Sequence, residues 1–358
     1  MSKHTERKQA VAPQVAVFGA AGHTGRFVVA ELLRRGITPI ATARDAGALM
    51  AADFPAHESL KDGKAGLEVL RRQASIENID LLDRALDGAL AVINCAGPFL
   101  ETADAVAGAA LRAGIHYLDV SAEQSSTQAM LEKYDIAARE AGVAVIPAMG
   151  FYGGFADLLV TAALSDWDRA DTIDIMIGLD RWHPTRGTRI TGARNTARRM
   201  VIAKGQLAPL SMPPAEKHWC FEEPLGHQAV VELPFSEIVL ISRHVKTAEL
   251  HTYLSSNALG DIRDAKTPAP MAADATGRSA QRFVVDAVVQ RAGKSRRITA
   301  RGRDIYAFSA PLICEATERL LAGRFRCAGA QAPGAIFDAR EVLSALMPEH
   351  LTFEVTKA

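Results

Sequence analysis

Short apolar runs alternate with longer stretches of helical period along the first half of the chain. Val15-Ala16-Val17-Phe18 is apolar throughout, as a strand covered on both faces would be. The next stretch, 26–35, places Phe27, Val28, Leu32 and Leu33 at helical spacing, and Gly36 stands where a helix-terminating glycine belongs. The alternation then repeats. Strands are predicted over 37–43, 67–70, 90–94, 116–120 and 143–147, and helices over 77–86, 102–113, 128–141 and 157–164. Alternating strands and helices imply parallel strands joined by right-handed crossovers, hence a doubly wound α/β sheet.

The pattern changes near Trp167. Strands then dominate, over 172–179, 229–233, 238–241 and 249–254, with a hairpin of 282–290 and 296–301 joined by Ala292-Gly293-Lys294. The stretch 207–225, holding Pro209, Pro213, Pro214 and Pro224, reads as an irregular loop. Helical period returns over 312–321 and 339–346. The expected fold is an α/β Rossmann domain with a doubly wound parallel sheet, into which a mixed, mostly antiparallel second domain is inserted. Its expected division is a polar tail (1–13), a dinucleotide-binding domain (14–165 plus 309–358) and a substrate and dimerisation domain (166–308).

Composition narrows the function. The chain has 358 residues, 48% hydrophobic and 23% charged, which is ordinary globular composition. Its 41 Lys and Arg balance 41 Asp and Glu, which argues against a dedicated nucleic-acid binder. No apolar run approaches the ~20 residues that span a bilayer, and the polar first residues lack the apolar core of a secretory signal. Cys95, Cys220, Cys314 and Cys327 form no CxxC pair and suggest no disulfide framework. A cytoplasmic protein with neither membrane nor nucleic-acid partner is expected. The ten His do not cluster at metal-ligand spacing, so no metal is expected.

The sharpest chemical signal is Gly19-Ala20-Ala21-Gly22-His23-Thr24-Gly25, a GxxGxxG variant of the dinucleotide fingerprint set between the first strand and first helix. The first glycine permits the tight turn, the second lets backbone approach a pyrophosphate, and the third allows close helix–strand packing. The helix N-terminus at Thr24 then favours phosphate. At the end of the second strand, Ala43-Arg44 offers a guanidinium fork for a 2′-phosphate, which favours NADP(H). The alternative is that Asp45 turns inward and takes the ribose 2′-OH, as in NAD enzymes.

These residues, with Asn94-Cys95-Ala96-Gly97-Pro98-Phe99, resemble the saccharopine dehydrogenase-like oxidoreductases. Tyr117-Leu118-Asp119-Val120-Ser121-Ala122-Glu123 is similar to that family's Tyr-x-Asp-x-(Ser/Thr/Cys)-Gly-Glu segment, Gly150-Phe151 with Asp157 to its Gly-Phe-Asp turn, and Gly187-Thr188 with Thr191 to a Gly-Thr element. The resemblance covers mainly residues 15–160; Ala122 replaces the family's Gly and Tyr152 its Asp. It implies a Rossmann domain with an inserted substrate domain. It also implies that Cys95, Ala96, Gly97 and Pro98 pass under the nicotinamide, with Cys95 a small packing residue. Ala21, His23 and Ala43 complete the cofactor-binding set with the three glycines, Thr24 and Arg44.

The implied reaction is hydride transfer, accompanied by a proton when C=N or C=C is reduced. Candidate proton donors are Tyr152, Glu123, Asp119 and His183, although Asp119 and Glu123 could equally bind backbone at element ends. None of the five Tyr is followed by Lys four residues on, which disfavours the short-chain alcohol dehydrogenase mechanism. From Arg181 to Lys204 there are seven basic residues and no acid. Arg194 and Arg198 are expected to share a helix face, with Arg186 and Arg189 in the preceding turn. Arg189, Arg186, Arg194 and His183 are the candidates for gripping a small anionic substrate. An NADP(H)-dependent oxidoreductase acting on an imine or amino-acid-like substrate is expected. The alternatives are a trans-acting enoyl reductase with an apolar channel and a non-catalytic NADP-binding sensor or scaffold. A homodimer formed through the second sheet would cover its open edges.

Overall fold

The computed structural model describes residues 12–54 and 67–357; residues 1–11 of the expected polar tail lie outside that range. The first half runs β1 (Gln14–Phe18), α1 (His23–Arg34), β2 (Thr38–Ala43), α2 (Ala46–Ala51), β3 (Leu70–Gln73), α3 (Ile79–Ala85), β4 (Ala91–Asn94), α4 (Phe99–Ala113), β5 (His116–Asp119), α5 (Gln124–Glu140), β6 (Ala144–Ile146) and α6 (Ala156–Leu164). The second half runs β7 (Arg169–Leu179), α7 (Arg186–Arg194), β8 (Met200–Ala203), β9 (Gln206–Pro209), β10 (Glu216–Cys220), β11 (His227–Glu232), α8 (Glu237–Ser242), β12 (Lys246–Ser255), α9 (Ser256–Arg263), β13 (Arg282–Arg291), β14 (Lys294–Arg303), α10 (Ile305–Leu321), β15 (Gly329–Ala330), α11 (Pro333–Ile336), α12 (Ala339–Ala345) and β16 (Leu351–Lys357).

The first sheet has the order β15-β6-β5-β4-β1-β2-β3, and its pairs are parallel. This is a Rossmann order, with the switch point between β1 and β4. Successive side chains of β1 serve two cores, as a strand of period two requires. Val15 and Val17 pack with Val28, Leu32 and Ile313. Ala16 and Phe18 pack with Leu82, Ala103 and Val106 on the opposite face. The second sheet has β7 at its centre, in the order β10-β11-β12-β7-β13-β14-β16. Only β12 with β7 is parallel along that path; the remaining pairs are antiparallel. Ile173, Ile175, Ile177 and Val285 of this sheet join the same core as Val15 and Val17, bridged by Leu158 and Leu159 of α6 and Phe308 of α10.

Several expectations need correction. The apolar run at Ile238–Ile241 is helix α8, not a strand. Four apolar residues carry no period of their own, and burial of all four suits a helix turn as well. The Pro-rich stretch is not wholly irregular: it contains most of β9 and all of β10, with Pro209 ending β9 at the sheet margin. The third strand lies at Leu70–Gln73, later than expected. Helix α7 contains Arg186 and Arg189 and ends at Arg194, so Arg194 and Arg198 share no helix face. Finally, residues 309–358 do not all return to the first domain. Helix α10 does, where Arg35 of α1 bonds Glu315 at 2.7 Å, but β16 pairs with β14 in the second sheet.

Candidate active site

The fingerprint loop closes tightly on β2. Both Gly19 and Ala20 donate their N–H to the Thr42 carbonyl at 3.0 Å, and Gly19 turns at φ +82°, a left-handed conformation that favours glycine. A Cβ on Gly25 would lie 2.3 Å from the Gly19 oxygen, so only glycine lets α1 pack this close to the loop. Gly22 is the N-cap of α1, and no side chain caps it. The first-turn N–H groups of His23, Thr24 and Gly25 lack intrahelical acceptors by geometry and face an uncapped, electropositive end. The Ala21 carbonyl is held by Arg26 Nε at 3.2 Å. His23 stacks edge-on between Phe27 and Tyr306, and its buried Nε2 has no partner among the described residues. A loop cradle with an open helix terminus and an unpartnered imidazole nitrogen suits a dinucleotide.

At the end of β2, Arg44 and Asp45 differ in their contacts. The Asp45 carboxylate accepts from Ala48 N at 2.9 Å and caps α2. It is therefore committed locally, whereas Arg44 is exposed and, among the described residues, only its carbonyl is engaged, by Gln73. Ala43 supports the turn through its carbonyl, which accepts from Ala74 N.

At the end of β4, Asn94 holds the following backbone: its Oδ1 accepts from Ala96 N at 3.0 Å, and Thr102 Oγ1 donates to the Ala96 carbonyl at 2.6 Å. A Cβ on Gly97 would meet Thr191 Oγ1 at 2.8 Å. Gly97-Pro98 thus lies directly beneath α7, at the carboxyl end of the central strands where a Rossmann ligand sits. Burial pushes the Cys95 thiol well up, and Asp119 pushes it further. Cys95 is therefore no thiolate, in keeping with a packing role.

The acidic candidates separate by environment. Asp119 is buried, accepts from Ser121 N and Ala148 N at 2.8 Å and from Tyr117 Oη at 2.9 Å. Its two backbone contacts hold the turns after β5 and β6. Glu123 is also buried; its Oε2 accepts from Phe99 N at 3.3 Å, while its Oε1 has no partner among the described residues. Burial pushes this carboxyl up to about 7. Tyr152 has a buried, unpartnered Oη and a ring between Trp182, 5.1 Å away, and Phe235, 4.3 Å away. Burial raises its phenol too.

The basic candidates do not converge. Arg186 is exposed. Arg189 Nη2 donates to the carbonyls of Asp264 and Thr267, pinning the loop after α9. Arg194 pairs with Glu101 of α4, tying α7 to the first domain. His183 is half-buried just before α7. Composition and spacing missed Tyr306. Its Oη meets Trp182 Nε1 and Thr188 Oγ1 at 2.9 Å and Thr185 N at 3.3 Å, clasping the start of α7 over His23. The available sequence signal was Asp304, which caps α10 by accepting from Tyr306 N and Ala307 N.

Fold and site together define a dinucleotide-binding Rossmann domain coupled to a second, mixed-sheet domain. Residues 15–146 match the family described as saccharopine dehydrogenase NADP binding domain. The first domain is thus similar to a saccharopine dehydrogenase NADP-binding domain, and NADP(H) is the cofactor such a domain takes. Among relatives, the bovine (Bos taurus) saccharopine dehydrogenase-like oxidoreductase is 32% identical over 152 residues, 40% of this chain and 35% of the relative. A probable mitochondrial saccharopine dehydrogenase-like oxidoreductase of Arabidopsis thaliana is 31% identical over 143 residues, 38% of this chain and 31% of the relative. A lipid droplet localized protein of Caenorhabditis elegans is 31% identical over 148 residues, 40% of this chain and 34% of the relative. The matched segment thus spans about a third of these relatives' length. Their names overturn the expectation of a cytoplasmic location: one is mitochondrial, another of lipid droplets. The apo saccharopine dehydrogenase (L-Glu forming) of Saccharomyces cerevisiae superposes with a TM-score of 0.63 at 12% identity, covering 96% of this chain and 100% of that one, which establishes a shared fold.

Proposed function

We propose that the protein is an NADP(H)-dependent oxidoreductase that reduces a C=N bond of a small anionic substrate, or oxidises the corresponding amine, with Glu123 as the proton donor. In this division of labour, residues of the first sheet hold the dinucleotide, and the second domain supplies the substrate wall through α7 and its approach. The cofactor supplies the hydride. The chain's residues orient the partners: the glycine loop seats the phosphates, Arg44 takes the 2′-phosphate, and Gly97-Pro98, with Thr191 close against it, lines the nicotinamide end of the crevice.

The observation that carries the reading is Glu123: a buried carboxyl with one free oxygen, anchored to Phe99 N beside the Gly97-Pro98 turn and half-protonated near neutrality. A group of that kind is suited to move a proton at pH 7, which favours an enzyme over a sensor. Polar orphans around the crevice favour a compact polar substrate over an acyl chain. Glu123 must be protonated for reduction, so kcat/KM in that direction should fall as pH rises through about 7, and the oxidative direction should gain over the same range. Glu123→Gln should lose about 100-fold or more in kcat and erase this limb. The assay is NADPH oxidation over a panel of carbonyl compounds with amines. An unchanged profile in Glu123→Gln would remove Glu123 from the chemistry.

A further inference from the structure

The basic stretch before β8 holds one arginine unlike the others. Arg199 is half-buried, and its Cζ lies 5.0 Å over the ring of Phe235. Phe235 packs on Tyr152, and Tyr152 on Trp182, so Trp182, Tyr152, Phe235 and Arg199 form one continuous stack. Such a stack removes rotamer freedom from the guanidinium before any ligand arrives. The stack is tied to the crevice floor. Gln124, adjacent to Glu123, donates Nε2 to the carbonyls of Phe235 at 2.9 Å and Met200 at 2.8 Å, and its Oε1 accepts from Met200 N at 2.8 Å.

The charge of Arg199 is left uncompensated by contact. Its guanidinium donates to the Pro234 carbonyl, and among the described residues it forms no ion pair with a carboxylate. Glu237, an acid that acts on it electrostatically, is fully buried and accepts from Phe235 N at 2.8 Å through Oε1. Tyr152 Oη, on the same stack, is buried and unpartnered among the described residues. Burial pushes the Glu237 carboxyl up, towards its neutral form, which weakens it further as a counter-ion. A preset cation with no carboxylate in ion-pair contact among the described residues, and an unpartnered phenol on the same stack, is built for an anion.

We propose that Arg199 is the substrate-anchoring residue, binding a carboxylate group of the substrate beside the Tyr152–Phe235 stack, with Tyr152 as a further donor. Resting on the oxidoreductase reading above, this assigns the anion grip to Arg199 instead of Arg186, Arg189 or Arg194. The carboxylate occupies the space next to the stack, and the reacting carbon extends towards Glu123.

The test uses the full chain saturated with NADPH and a matched pair of probes, butyrate and its neutral isostere butyramide, by calorimetric titration. Wild type should bind butyrate at least tenfold more tightly than butyramide. Arg199→Met should abolish that preference with NADPH affinity unchanged, and Arg199→Lys should restore part of it. Arg189→Ala should leave it intact. An equal preference in wild type and Arg199→Met would overturn the proposal, as would absence of any preference in wild type. A tenfold loss of NADPH affinity in both Arg199 variants would also overturn it, because Arg199 would then serve the cofactor. Inorganic phosphate displacing butyrate at equal concentration would show a general oxyanion site and overturn the carboxylate assignment. If Arg199→Met unfolds, the lysine variant and the wild-type probe pair still decide. Failure here leaves the Glu123 pH limb standing, so the two readings fall separately.

Discussion

Asp45 and Arg44 are neighbours in sequence with opposite fates. The carboxylate is held by Ala48 N at the start of α2, and the guanidinium extends into solvent at the β2 end. Sequence alone left both open, because either side chain can reach a ribose from that position. The deciding fact is a cap of about 1 kcal/mol, which keeps Asp45 at home. A guanidinium–phosphate contact is worth roughly 1.5–3 kcal/mol, so Arg44→Ala should weaken NADPH binding by about one to two decades and leave NADH binding nearly unchanged. A thermal-shift titration with both nucleotides measures this; equal losses for the two would assign Arg44 no part in discrimination. Asp119 and Glu123 make a similar pair. Both carboxyls are buried, but all of Asp119's contacts serve backbone and a tyrosine, whereas Glu123 keeps one oxygen free. That difference depends on which N–H groups fold back towards each side chain, and no spacing in the sequence encodes it.

Among the elements, the βα unit at the chain's start was fully legible: an apolar run, three spaced glycines and a helical period define β1, its loop and α1. Its physics leaves little slack. Gly25→Ala would put a Cβ 2.3 Å from the Gly19 oxygen and 2.8 Å from the Ala20 Cα, so loop and helix must part. Such overpacking costs about 1–3 kcal/mol. The expected outcome is a modest fall in Tm together with loss of the stabilisation that NADPH gives the wild type; a variant that keeps the full NADPH shift would show that the loop is not the phosphate cradle. Other elements were misread for identifiable reasons. Helix α8 is four apolar residues and a turn, too short to display 3.6-residue period. Helix α7 is polar, with no residue buried; Thr185 starts it by accepting from Thr188 N at 3.1 Å, and Tyr306 clamps it from outside.

At the scale of the molecule, the two sheets share a single apolar core through α6 and α10. That continuity predicts joint unfolding. Trp167, Trp182 and Trp219 all lie after α6, whereas the dinucleotide loop lies in the first domain. Tryptophan fluorescence and far-UV circular dichroism should therefore report one coincident transition in urea, and NADPH should move both probes together. Separate midpoints, with NADPH moving only one, would show two independent domains. The candidate site is assembled only at this scale: α7 comes from the second domain, Gly97, Glu123 and the glycine loop from the first, and Tyr306 of α10 joins them. By itself the sequence determined the α/β class, the parallel first sheet, the phosphate loop and the family resemblance, because local period and glycine spacing are read residue by residue. Only tertiary structure decided which arginine stacks on Phe235, which buried carboxyls keep an unpartnered oxygen and where β16 pairs. Each of those depends on partners brought together from distant parts of the chain, and burial and hydrogen bonding act through such contacts.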